Sequence, residues 1–337
     1  MFGGHYRLLK MSSAPMYNYD DLSNTTSYYY FTMLDDEEVS MVPLLVYCII
    51  CLLGILGNAL VIWIVRSERK KTVSIIWIFN LSLADFLFTA MLPFSIVQVA
   101  LKTHWPFGNF MCKFLSFINN LNMYTSVFIL AVISLDRCIS VMLPVWSQNH
   151  RTVRSAGVVS VVVWVLAAAA SIPFFLIRET LEDMLTGNTY CFYGEDTYRL
   201  STLIVVRFVL AFLIPFITIS VCYSIITVKV RRRWRKRSNK PCKIIIMIIS
   251  AFFICWIPFH LLNIRHATSD KYFKTWLPLV TSLAFANSCI NPILYLFTGH
   301  GPIHHVKKRI QMALKALHEE MSNSGSRSET RLSRAIV

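Results

Sequence analysis

Residues 42–65, VPLLVYCIICLLGILGNALVIWIV, contain no charged side chain. About 20 mostly apolar residues span the hydrocarbon core of a bilayer, so this stretch is long enough to cross one as a helix. Six more such blocks follow, at roughly 73–99, 109–142, 155–176, 200–228, 243–264 and 275–298. Each is too long for a barrel strand and rich in helix-compatible residues. Backbone groups in lipid must be hydrogen-bonded within the protein, so the predicted fold is an all-α membrane protein, a bundle of seven transmembrane helices. Composition agrees: 55% of the 337 residues are hydrophobic and 15% charged, against roughly 25% charged in soluble domains. No internal repeat and no second soluble domain is visible. The chain divides into a tail over 1–40, the bundle over 41–298, an amphipathic segment over 299–318 and a second tail over 319–337.

Lys and Arg collect in the cytoplasmic loops of membrane proteins. Here they gather between the first two blocks (Arg66, Arg69, Lys70, Lys71), between the fifth and sixth (Arg231 to Lys240) and after the seventh (Lys307, Lys308, Arg309). Asp20, Asp21, Asp35, Asp36, Glu37 and Glu38 precede the first block. The amino terminus is therefore expected outside and the carboxyl terminus inside, and the net charge of +15 is mainly a topology signal. The basic loop is flanked by lipid-buried segments on both sides, which argues against a nucleic-acid partner. Residues 1–40 hold no continuous apolar stretch, so no cleavable leader is expected and the first helix serves as its own targeting signal. Met1 and Met11 both qualify as the start.

The first tail reads as disordered. Asn24-Thr25-Thr26 is a glycosylation sequon. Tyr17, Tyr19, Tyr28, Tyr29 and Tyr30 lie near acidic residues, where they suit either sulfation for a basic ligand or a plain solvated tail. Of nine cysteines, only Cys112 and Cys191 are expected to face the oxidising side, which predicts one disulfide that pins the second outer loop over the bundle mouth. Ile303, Val306, Ile310, Leu314 and Leu317 recur at helical steps around Lys307, Lys308 and Arg309, as in a basic amphipathic helix lying on the inner leaflet. No cysteine follows Cys289, so no palmitoylation is expected there. The final tail offers Ser322, Ser324, Ser326, Ser328 and Thr330 to kinases or serves as a linker.

Ionisable groups inside a membrane are expensive and point to function. Asp85 lies in the middle of the second block; Asn122 and Ser126 share a helical face of the third, and Asn287 and Asn291 one of the seventh. One carboxylate with four neutral oxygen donors suits a sodium ion, and equally a hydrogen-bonded cluster with water. At the end of the third block, Asp136 and Arg137 can hold each other in one state and separate in another, or simply snorkel. Prolines 93, 173, 215, 258 and 292 each remove a backbone hydrogen bond and place a hinge. Trp256 stands beside Pro258, and Tyr295 about one turn below Pro292.

Taken together, Gly54-x-x-Gly57-Asn58, Leu81-x-x-x-Asp85, Asp136-Arg137-Cys138, Trp164, Pro215 with Tyr223, Cys255-Trp256-x-Pro258 and Asn291-Pro292-x-x-Tyr295 occur in order along the seven blocks. Over residues 42–317 the chain resembles a rhodopsin-like (class A) G-protein-coupled receptor. Cys138, Trp105-Pro106-Phe107-Gly108, the segment Pro144 to Arg151 and Asn287-Ser288-Cys289 resemble the chemoattractant branch, closest to chemerin and formyl-peptide receptors. A prostaglandin chemoattractant receptor shares much of the pattern, and Gly301-Pro302 departs from it. The resemblance implies a plasma-membrane receptor for a chemoattractant peptide or small protein, acting in chemotaxis or inflammation. The alternatives are a receptor for a carboxylate-bearing lipid and a scavenger that does not signal. A heterotrimeric G protein of the inhibitory type, arrestin and receptor kinases at the tail, and membrane lipids are the implied partners. Arg137 would contact the G protein, Tyr223 and Tyr295 would support the open state, and Trp256 would sense ligand. Phe285 stands where a light receptor has its lysine, and Asn119 where an amine receptor has its carboxylate. No convergent catalytic set faces water, so no enzyme and no cofactor beyond an allosteric sodium ion are expected; inverted repeats, which would mark a transporter, are lacking too.

Arg207 is the best sequence clue to ligand chemistry. It precedes Pro215 by eight residues, about 12 Å of regular helix. A buried guanidinium needs a partner. Either it snorkels or meets Glu195 or Asp196, or its partner is a carboxylate brought by the ligand. Related chemoattractant receptors resemble this chain in having arginine here. Asn119, Asn120 and Asn263 would add hydrogen bonds, over an apolar floor of Phe259 and Trp256.

Overall fold

A computed structural model describes residues 41–184, 186–194, 197–233, 240–265 and 270–298. Asn24 and the sulfation tyrosines, Glu195, Asp196, the segment 299–318, the tail 319–337 and the side chain of Tyr295 lie outside the described residues. In chain order the elements are α1 (Met41–Ser67), α2 (Val73–Ala100), α3 (Gly108–Met142), α4 (Pro144–His150), α5 (Val153–Leu176), β1 (Arg178–Glu182), β2 (Thr189–Tyr193) and α6 (Thr197–Phe208). A π-helical turn (Val209–Leu213) leads into α7 (Ile214–Arg233), followed by α8 (Lys240–Arg265) and α9 (Asp270–Thr298).

Among the described residues, six helical stretches are long and apolar enough to cross a membrane: α1, α2, α3, α5, Arg199–Lys229 through the π turn, and Ile246–Ile264 in α8. The 29-residue α9 completes the seven-helix bundle. Local chemistry sets the ends. The Thr72 and Thr152 hydroxyls accept from the amides of Ile75 and Ser155 at 3.3 and 3.1 Å, capping α2 and α5. Lys71 Nζ donates to the carbonyls of Val65 and Arg66 at 2.8 and 3.0 Å and closes the far end of α1. Pro144 opens α4, where its missing N–H leaves nothing unsatisfied.

The chain packs α1 on α2 and α9, α3 on α2, α5 and α7, and α8 on α9. Close approach of α1 to α2 depends on Gly54, because a Cβ there would run into the Thr89 methyl. Leu45, Ile49, Leu52 and Leu56 instead cover an exposed face of α1, as a lipid-facing helix requires.

Sequence periodicity did not reveal three features. The π turn falls between Arg207 and Pro215, so regular-helix spacing does not hold over that interval; Ile214 N reaches back to Val209 O, and the following Pro215 has no N–H to continue an α pattern. The short α4 interrupts the segment between α3 and α5. Beyond α5 the chain forms an antiparallel hairpin in which Thr180 faces Cys191. Cys191 is bonded to Cys112 of α3 as expected, with Cα atoms 5.7 Å apart. The free edge of β2 takes up residues 104–105: Trp105 N donates to Thr189 O at 2.7 Å, and Thr189 N to His104 Nδ1 at 3.1 Å.

Candidate functional site

At the hairpin end of the bundle, Arg207 on α6 is only 5% exposed. Its guanidinium donates to Asn263 Oδ1 of α8 at 3.1 Å and lies 5.0 and 5.2 Å over the rings of Phe259 and Phe174. Asn263 is oriented by its own bond to the Phe259 carbonyl, 2.8 Å. Tyr193 of β2 brings its phenol to Arg207 from the hairpin side. The same ring lies 4.3 Å under a second guanidinium, Arg178 of β1, whose Nε is 3.2 Å from Cys191 Sγ. Burial alone would push the Tyr193 phenol up, but Arg178 and Arg207 outweigh it and hold the phenol below its ordinary pKa. Among the described residues, neither guanidinium meets a carboxylate.

Of the residues expected around Arg207, the structure brings Asn263 and Phe259 into contact with it. Trp256 forms the layer beneath, edge-on to Phe259 at 5.6 Å. Asn120 spends its amide on the Ser116 carbonyl of α3, at 2.9 Å, and Asn119 stands half-buried beside it. Arg178 and Tyr193 were not read from the sequence, because only the disulfide and the hairpin register bring them over the mouth. His260 was also missed. It is 2% exposed, with its ring 5.6 to 6.0 Å from those of Phe208, Phe212, Trp256 and Phe259. Its place one turn beyond Trp256 is the signal that could have found it.

Deeper in the bundle, Asp85 is fully buried. Asn122 and Asn291 each donate to one of its carboxylate oxygens at 2.9 Å. Ser288, absent from the expected set, donates to Asn122 Oδ1 at 3.4 Å, and its carbonyl takes Asn58 Nδ2 at 2.8 Å. Ser126 Oγ, Asn287 Oδ1 and Asn291 Oδ1 are buried oxygens without a hydrogen-bond partner. One carboxylate with several unsatisfied neutral oxygens fits a small hard cation.

At the α4 end Asp136 and Arg137, expected to hold each other in one state and separate in another, stand apart. Asp136 is held at two points by Arg151, Nε–Oδ1 2.7 Å and Nη2–Oδ2 2.9 Å. Arg137 turns to the Ser74 hydroxyl of α2 at 3.2 Å, which Arg151 also reaches at 3.4 Å. Arg151 fills the carboxylate from outside α3 and leaves no oxygen of Asp136 for Arg137. Arg137, Ser140, Pro144, Ser147, Gln148 and Arg151 line a cleft of about 430 Å³. Tyr223 stands half-buried on α7, packed on the core; Pro258 and Pro292 lie inside α8 and α9.

A seven-helix bundle with a disulfide-pinned hairpin over one end and an arginine-lined cleft at the other is the architecture of a membrane receptor. Residues 57–295 match the family described as 7 transmembrane receptor (rhodopsin family). The chain is 45% identical to Chemerin-like receptor 1 of Sus scrofa over 303 residues, 83% of each chain. It is 40% identical to the C3a anaphylatoxin chemotactic receptor of Danio rerio over 84% of this chain and 78% of that one, and 38% identical to Formyl peptide receptor-related sequence 1 of Mus musculus over 90% and 93%. The chain belongs to the rhodopsin family of G-protein-coupled receptors, in its chemoattractant branch. This is a family of multi-pass membrane receptors, not of enzymes.

Proposed function

We propose that the chain is a plasma-membrane receptor, amino terminus outside, activated by a chemoattractant peptide or small protein of the chemerin kind through a free carboxylate on the ligand. The observation that carries this reading is that Arg178 over the ring of Tyr193 and Arg207 at its phenol are two guanidiniums without a carboxylate among the described residues. A ligand carboxylate would complete the set with charge-assisted bonds, and Phe259, Phe174 and Trp256 would take the apolar group behind it. That apolar lining also favours a second reading, a carboxylate-bearing lipid mediator.

The basic loops support an α4 end in the cytoplasm, where Arg137 would meet a heterotrimeric G protein of the inhibitory type. Arrestin and receptor kinases would act on the 319–337 tail. A sodium ion held by Asp85, with Asn122, Ser126, Asn287 and Asn291 around it, would supply positive charge that stabilises the resting state. Transfected cells challenged with chemerin, chemoattractant peptides as acids and as amides, and carboxylate lipids provide the test. A fall in cyclic AMP with an acid peptide but not its amide is expected. A response to lipids alone selects the second reading, and binding without any G-protein response makes the chain a scavenger.

A further inference from the structure

The two-point grip of Arg151 on Asp136 has a consequence for Arg137. Both carboxylate oxygens are taken, at 2.7 and 2.9 Å, by a residue from beyond α4. Asp136 is only 12% exposed in its side chain, so water competes little for that pair. Arg137 is left with a neutral acceptor, the Ser74 hydroxyl at 3.2 Å, and its buried Nε has no partner. Charge-assisted bonds to a carboxylate are roughly twice as strong as bonds between neutral groups. A guanidinium held by a hydroxyl is therefore released more readily than one held by its neighbouring aspartate.

We infer that Arg151 is the positioning residue for Arg137: by saturating Asp136 it keeps that carboxylate from capturing Arg137, so the guanidinium rests on Ser74, ready to swing into the cleft. The Ser74 hydroxyl also receives Arg151 at 3.4 Å, which uses both of its lone pairs and ties the starts of α2 and α5 to the end of α3. Without Arg151, the long stem of Arg137 can turn back to a free Asp136. This inference rests on the coupling role proposed for Arg137.

Nucleotide exchange on a panel of heterotrimeric G proteins, in membranes with high receptor density and no added ligand, tests it at matched surface expression. Arg151→Ala is expected to lower exchange several-fold, Arg151→Lys less so because it keeps the charge without the fork. Adding Asp136→Asn to Arg151→Ala is expected to restore exchange, since a neutral amide cannot hold Arg137 as a carboxylate does. Melting midpoints of the same variants separate this from a merely structural Arg151, whose loss and rescue would move stability in step with exchange. Ser74→Ala removes one oxygen, leaves the fold in place, and is expected to raise ligand-independent exchange. The inference is overturned if Arg151→Ala is silent, if Asp136→Asn fails to restore it, or if Ser74→Ala changes nothing. Arg137→Ala is the control: full exchange in that variant sinks the coupling role itself, whereas its loss alongside a silent Arg151→Ala sinks the positioning role alone.

Discussion

Arg207 shows how much a single side chain can specify. Its charge persists in any environment, and burial at 5% exposure demands partners that the protein supplies only in part. Asn263 is neutral, Tyr193 offers a single phenol oxygen, Phe174 and Phe259 are ring faces, and Arg178 adds a like charge nearby. Arg207→Ala, and amidation of an activating peptide's carboxyl terminus, should each weaken activation roughly 10- to 150-fold, about 1.5–3 kcal/mol for a charged hydrogen bond. Dose–response curves for the four combinations form a double-mutant cycle. The two changes together should lose little more than either one, because they delete the same contact. Losses that simply add would separate Arg207 from the carboxylate.

Among the elements, α1 and α2 owe their close packing to a glycine. Thr89 lies against the space a Gly54 side chain would need, with its Cβ 2.9 Å and Oγ1 3.2 Å from that point. Gly54→Ala should therefore destabilise the receptor by about 1–3 kcal/mol, the range for overpacking a filled core, read as a lower melting midpoint in detergent. Thr89→Ser deletes the colliding methyl and should return part of the loss. A Gly54→Ala receptor as stable as the parent would mean that α1 shifts freely on α2. The hairpin works the other way. The disulfide together with residues 104–105 fixes where Arg178 and Tyr193 stand. The element that brings the second guanidinium is thus held by a covalent bond and edge hydrogen bonds.

For the whole molecule, the polar core around Asp85 joins α2, α3 and α9 in one network. An ion bound there acts on signalling only through different affinity for resting and open states. Raising sodium should lower agonist affinity in membranes, Asp85→Ala should abolish that dependence, and agonist should weaken sodium binding by the same factor. An Asp85→Ala receptor with the full sodium effect would place the ion elsewhere.

The seven blocks, the disulfide and the membership of Asp85, Asn122 and Asn291 in one cluster were legible in the sequence. The blocks follow from apolar length against bilayer thickness, the disulfide from thiols sorted by compartment, and the cluster from the cost of polar groups in lipid, which gathers them across helices. Asn263 and Phe259 were placed beside Arg207 from the sequence, as a hydrogen-bonding and an apolar group, but the bond between Arg207 and Asn263 came only with the structure. Tertiary structure alone decided what depends on several elements at once. Arg178 and Tyr193 reach Arg207 because a hairpin register and a disulfide carry them there. Ser288 enters the polar core because α9 brings its backbone to Asn58. Asp136 and Arg137 are adjacent in the chain, yet they part because Arg151 returns from beyond α4 to fill the carboxylate. Adjacency along a helix sets direction, not partnership; which charge meets which was settled when three helix ends came together.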